Sequence, residues 1–289
     1  NFDMKQFLQK IVALVLLLIF FNLLVFLPTN YLYNSTYLKA LNESEYSKYL
    51  LSDSHGHSLG KMTETYGIKN LSTPSDSYVD MYRKLKYLSS EKDVQKIYLS
   101  CGDRLFTNYR DRSNNNERSS FLMKASDYNN SLIYLTNHYV RRFFIYPTSK
   151  QHSFFTSVLL RKLRLNKPWR EVEWSELSSF DRTREASKRV SQFSFNNISQ
   201  NQLDNFRKIL TFCKDKKIKC ILVKFPLTHE FRECENYIDF DLCKMLSIDT
   251  LNILDYNSVY FDLDEYFKDQ DHLNGMGASE FSKILFTNE

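Results

Sequence analysis

The clearest pattern is at the start of the chain, where Ile11 to Leu27 (IVALVLLLIFFNLLVFL) carries no charge and one polar residue, Asn22. With Phe7 and Leu8 added, the run approaches the ~20 residues that cross a bilayer core. It is too uniformly apolar for a surface helix, which needs a polar face. Further along the periodicity changes. Apolar or aromatic residues at Tyr78, Met81, Tyr82, Leu85 and Leu88 predict a helix over Ser75 to Ser89, with Lys and Arg on its other face. Short apolar runs predict strands at Tyr49 to Ser52, Val94 to Ser100, Ile218 to Phe225 (IKCILVKF, stopped by Pro226) and Thr250 to Leu254. Helices are expected at Gln202 to Lys216 and Met276 to Phe286.

Strands alternating with helices predict an α/β domain with a parallel sheet covered on both faces, and sites at the carboxyl ends of strands. The expected organisation is a membrane anchor at 1–28, a tether at 29–45 and one α/β domain at 46–289. A long middle stretch, about 104–199, is rich in Tyr, Phe, Arg, Ser and Asn. It has no clear period beyond helical segments at Asn129 to Phe144 and Ser153 to Leu163, and reads as an insertion on the α/β core.

Composition refines this picture only slightly. A 289-residue chain with 43% hydrophobic and 15% aromatic residues is that of a folded protein, and 39 basic against 34 acidic residues is too mild an excess to argue for nucleic acid. Lys5 and Lys10 precede the apolar run, so the positive-inside rule puts the N-terminus in the cytoplasm and the α/β domain on the outer, periplasmic side. A cleaved signal peptide is the competing reading; the PTNYLYNSTY that follows has no small-x-small cleavage site. Among five cysteines, Cys213 with Cys220 or Cys234 with Cys243 would suit disulfides in an exported domain, leaving Cys101 single.

The candidate chemistry lies in two short stretches. LLSDSHGHSLG (Leu50 to Gly60) puts Ser54 in a tight turn after a strand, with Asp53 bracing the turn through nearby backbone N–H groups. DQDHLNGMGA (Asp269 to Ala278) puts an Asp-x-x-His pair before the last helix. Ser54 as nucleophile, His272 as base and Asp269 as the carboxylate that fixes the imidazole tautomer complete a serine hydrolase or acyltransferase set. The same neighbourhood admits a metal reading, with Asp53, His55 and His57 joined by Asp269, Asp271 and His272. His138, His152 and His229 read as surface or capping residues, His229 also being placed to line a cleft.

In these two blocks the chain resembles the SGNH (GDSL-like) hydrolase superfamily, and among its branches the membrane-anchored bacterial proteins that act on extracytoplasmic glycans. Ser52-Asp53-Ser54-His55 stands where the family has Gly-Asp-Ser, and Asp269-Gln270-Asp271-His272 matches its Asp-x-x-His. Leu273, Asn274, Gly277, Ala278 and Phe281 also fit, and the resemblance spans about 46–288 without the insertion. It implies a three-layer, flavodoxin-like sandwich. It also implies an oxyanion hole formed by the N–H of Ser54, a backbone N–H at Ser75 in the Asn70 to Asp76 block, and a third-block Asn. The third block reads Ser100-Cys101-Gly102-Asp103, with no Asn, so either Gly102 supplies a backbone donor, or the hole is completed only by substrate or partner, or the protein is a weak catalyst.

The implied activity is an esterase or O-acyltransferase without cofactor, acting on an acylated glycan or cell-envelope substrate and working with a membrane acyltransferase partner. The alternatives are a non-catalytic binding or assembly protein of the same fold, to which Ser52 and the missing Asn lend weight, and a metal-dependent hydrolase.

Overall fold

The computed structural model describes residues 4–28, 35–42, 45–128, 130–136 and 172–287. The chain divides into two compact units, Asn1–Asn42 with Met123–Arg170 and Glu43–Leu122 with Glu171–Glu289. Of the expected insertion helices, Ser131–Leu135 is a short helix. The segment Ser153 to Leu163, His138, His152 and tether residues 29–34 and 43–44 lie outside the described residues, while Ser35–Asn42 of the tether is a short helix.

In the first unit helix α1 (Met4–Pro28) is long and apolar enough to cross a membrane over Met4–Leu24. At ~1.5 Å per residue those 21 residues reach ~30 Å, a bilayer core. None of that stretch is buried in protein, and Leu16, Leu18 and Phe20 are all more than half exposed. Beyond Lys10 the helix is apolar on nearly all sides, the pattern of a membrane-spanning helix by length and composition.

The second unit is built on a five-stranded, fully parallel sheet with helices between its strands. Its strands are β1 (Lys48–Leu51), β2 (Ile68–Asn70), β3 (Lys96–Ser100), β4 (Lys219–Lys224) and β5 (Ile253–Asp255), in the order β2-β1-β3-β4-β5. Tyr49, Leu50 and Leu51 are each fully buried. Successive side chains point to opposite faces, so β1 is covered on both sides, as a parallel strand requires. This order reverses direction between β1 and β3, the place beyond the strand ends where open parallel sheets bind ligands.

Helix α3 (Tyr78–Glu91) starts three residues later than expected because Ser77 and Asp80 form a reciprocal capping box, which satisfies two orphan N–H groups and fixes the boundary. Helix α5 (Gln200–Asp215) packs on α3. Helix α4 (Ser179–Phe193) was not anticipated, because only Ala186, Val190 and Phe193 of its fifteen residues are buried and so narrow a stripe gives a faint period. β2 also escaped notice: three residues are too few for an alternating pattern. All five cysteines carry free thiols.

Behind the strand ends, a hairpin of β6 (Phe267–Asp269) and β7 (His272–Leu273) leads into helix α6 (Gly275–Thr287). Asn274 starts that helix: its Oδ1 accepts the N–H groups of Met276 and Gly277, each at 3.0 Å, while its Nδ2 donates to the Glu265 carbonyl at 2.6 Å. Gly277 lies so close to the preceding turn that a Cβ there would meet the Tyr266 carbonyl oxygen at 2.2 Å. Thr228, just past β4, donates from N (3.3 Å) and Oγ1 (2.8 Å) to the Gln270 carbonyl, tying the hairpin to the sheet.

Gly277→Ala is therefore expected to lower unfolding stability by about 1–3 kcal/mol, the ordinary cost of overpacking. A urea melt of the full chain in detergent measures it, and an unchanged midpoint would mean that α6 can slide away from Tyr266.

Candidate active site

β1 delivers Ser52 and Asp53 to the carboxyl edge of the sheet, and the chain turns at once into the single helical turn α2 (Ser54–His57). The turn is tight because of Gly56. A Cβ there would lie 2.4 Å from Ser52 Cβ and 2.6 Å from Ser72 Oγ, so only glycine lets the turn nest against the strand end and the neighbouring loop. Ser52 Oγ accepts the Gly56 N–H at 3.1 Å. Asn70 Nδ2, at the end of β2, donates to the Gly56 carbonyl at 2.7 Å and clasps the turn from the other side.

Ser54 and His272, 218 residues apart, come together across this edge: Ser54 Oγ is 2.7 Å from His272 Nε2. On the far side of the ring Nδ1 is 2.8 Å from Asp269 Oδ1, which also accepts the N–H groups of Asp271 (3.1 Å) and His272 (2.9 Å) and so closes the loop that carries the histidine. A second carboxylate, Asp271 Oδ1, stands 3.2 Å from the same nitrogen. Burial alone would lower the His272 pKa. Asp271 and the hydrogen bonds from Asp269 and Asp271 outweigh it, raising the value to about 10.

Asp53 does more than brace its turn. It is fully buried, and its carboxylate receives the His55 N–H at 3.2 Å, Arg104 Nη2 at 2.9 and 3.1 Å, and Arg110 Nη2. Burial would push its pKa up, but Arg104, His55 and Arg110 together hold it well below the usual carboxylate range. His55 is also buried. Its ring lies against that of His272 at 4.6 Å between centroids, with Nδ1 between Asp53 and Arg104. Burial and the Arg104 charge push its pKa down to about 3, so His55 is a neutral, polar wall behind the proposed base.

The expected oxyanion donors are placed unevenly. Ser75 occupies the third position of a turn closed by the Asp76 N–H on the Thr73 carbonyl (3.0 Å), with Pro74 before it and φ at +70°, the left-handed region that favours glycine. Gly102 is buried, and the spot where a Cβ would stand is taken by Arg104 Nη1 at 2.7 Å. The N–H groups of Ser54, Ser75 and Gly102 have no acceptor among the described residues. Asp103 is committed to other partners. Its carboxylate takes Lys224 Nζ at 3.1 Å, the Tyr237 hydroxyl at 2.7 Å and the Phe240 N–H at 3.0 Å, and braces the segment after β4.

His57 is exposed and turned to the Ser72 carbonyl (3.1 Å), outside the cluster that a metal would need. His55, Asp271 and His272 do offer ligand atoms within 4.8 Å of one another, but Arg104 reaches His55 and Arg189 reaches Asp271 at 3.3 Å. Two guanidinium charges bound to these side chains, at His55 Nδ1 and Asp271 Oδ2, oppose a cation beside them. His229 is exposed, its ring packed edge-on against Phe261.

Arg104, Arg110 and Arg189 were not singled out from the sequence. The one available hint was Arg104, two residues past Gly102 at the end of β3. Arg189 lies on the amphipathic α4 and looks like any solvated charge. No family model matches the chain, and no curated protein does.

Because the folded His272 pKa stands above the ordinary 6.5, the interactions of its charged form stabilise the fold fully below about pH 6.5. That contribution is lost as pH rises through about 10. The stability difference between wild type and His272→Gln, followed by urea unfolding from pH 6 to 10, should shrink steadily; a flat difference would show that the imidazole is not held charged.

Proposed function

We propose that the chain is a membrane-anchored serine esterase or O-acyltransferase of the SGNH type, in which Ser54 is the nucleophile, His272 the base and Asp269 an orienting carboxylate. The observation that carries this reading is the 2.7 Å approach of Ser54 Oγ to His272 Nε2, with carboxylate on the opposite ring nitrogen. Nothing in plain loop packing requires a serine hydroxyl, an imidazole and a carboxylate in that sequence. The strand order β2-β1-β3-β4-β5 and the two-sided burial of β1 support a three-layer, flavodoxin-like sandwich.

The chemistry follows from these groups. Neutral His272 takes the hydroxyl proton on Nε2 as Ser54 Oγ bonds to the ester carbonyl carbon. Carbonyl π electrons move onto oxygen, for which the backbone N–H groups of Ser54, Ser75 and Gly102 are the proposed donors. Collapse expels the alcohol, which leaves with the proton from Nε2. Water attacking the acyl-serine makes the protein an esterase; a sugar hydroxyl makes it a transferase. At neutral pH most His272 is protonated and donates to Ser54, so the active fraction grows with alkalinity.

α1 and the positive-inside rule support a bilayer anchor with the α/β unit on the outer face, beside an acylated glycan or cell-envelope substrate and a membrane acyltransferase partner. One set of observations favours a second reading, a non-catalytic binding or assembly protein: no Asn stands in the third block, and Asp103 is committed to Lys224.

A fluorophosphonate probe separates the two. It should label the wild-type chain in detergent at a rate that climbs as pH approaches about 10, and should not label Ser54→Ala; absence of labelling at any pH would favour the binding protein. The same labelling, and hydrolysis of a chromogenic acetyl ester, should be indifferent to EDTA. Loss with EDTA and recovery with zinc would instead establish the metal-dependent alternative.

A further inference from the structure

His272 faces two carboxylates at Nδ1, and their surroundings differ. The side chain of Asp269 is 37% exposed, and its Oδ1 is shared among the ring and two backbone N–H groups of its own loop. Asp271 is fully buried. Its Oδ1 takes Gln270 Nε2 at 3.2 Å and faces His272 Nδ1, while its Oδ2 takes Arg189 Nε at 3.3 Å and lies 3.6 Å from His55 Nε2. Water screens an exposed charge, whereas a buried one acts through a much lower effective dielectric.

We propose that Asp271, held ionised by Arg189 of α4, is the principal positioning carboxylate for His272, and that Asp269 chiefly closes the turn. The inference rests on the reading of Ser54 and His272 as nucleophile and base. When the Ser54 proton passes to Nε2, Nδ1 keeps its own proton. The imidazolium charge is then balanced by a neighbour that solvent cannot weaken.

The groups packed around the ring agree with this. From α2 come Ser54 and the neutral His55; from the strand end before it comes Asp53, whose charge is absorbed by Arg104 and Arg110. From α4 comes Arg189, and from the hairpin come Asp269, Gln270 and Asp271. Burial would raise the Asp271 pKa, but the charge and hydrogen bond of His272 and the charge of Arg189 keep it well below the usual range. Arg189 is itself braced over the Phe193 ring, 4.6 Å from its centroid.

The test is a ¹³C-histidine NMR titration of the full chain in detergent, with the His272 signal assigned by its loss in His272→Gln, alongside fluorophosphonate labelling rates. Asp271→Asn should move the His272 midpoint down by more than Asp269→Asn does. It should cut labelling by ~10³-fold or more, toward the ~10⁴ known when a triad carboxylate is neutralised, while Asp269→Asn costs under ~10²-fold. A larger displacement in Asp269→Asn, or none in Asp271→Asn, overturns the assignment. Should Asp271→Asn fail to fold, Arg189→Gln decides: freeing the second oxygen of Asp271 should move the His272 midpoint up, and an unmoved midpoint overturns the proposal. If the wild-type chain is never labelled, the nucleophile reading falls, while the titration still reports which carboxylate holds the ring.

Discussion

Burying charge beside a reactive edge is the constraint on which this structure turns. Asp53 and Asp271 are both removed from water, and an ionised carboxylate in that position is tolerable only with partners at hydrogen-bond distance. Arg104 and Arg110 serve Asp53, and Arg189 serves Asp271. Those three arginines come from the segment after β3, a short helix beyond it, and α4. The charge requirement thus recruits residues remote in sequence and pins them around one turn. His55 fills the space between the two carboxylates without adding charge, because burial and Arg104 keep it neutral.

A similar economy operates further from Ser54. Lys84 of α3 is buried and places its ammonium on Asp76 and on the Leu71 carbonyl, fixing the loop that carries Ser75. Asn115 reaches the same loop through Asp76 and the Pro74 carbonyl. Lys224, at the end of β4, pairs with Asp103 and Asp239. The loops after β1, β2 and β3 are therefore tied by polar side chains that arrive from other elements.

The sequence made some of this legible for identifiable reasons. IKCILVKF is legible as a buried strand because a fully covered strand is apolar on both faces, and Ser54, Asp269 and His272 are legible because they fall just after an apolar strand run or just before the last helical run. Asn274 and Gly277 matched a pattern before their work as a helix start and a close approach could be seen. The arginine partners were not legible, since Arg104 and Asp53 are 51 residues apart and no local period records a charge pair. Lys224 does carry a signal: an ammonium at the buried end of a largely apolar strand must find an anion, and Asp103 is that anion. Asp271 was read only as a metal ligand because spacing alone cannot tell which of two nearby carboxylates turns inward.

The separation of Ser54 from His272 has a consequence for biosynthesis. A chain made from its N-terminus exposes the serine turn early, and the imidazole that would deprotonate it arrives 218 residues later. On the proposed reading, the hydroxyl has no base until the hairpin and α6 have docked on the sheet. Reactivity would then be timed by completion of the fold, and a chain that stalls before Asp269 would carry Ser54 in an inert form.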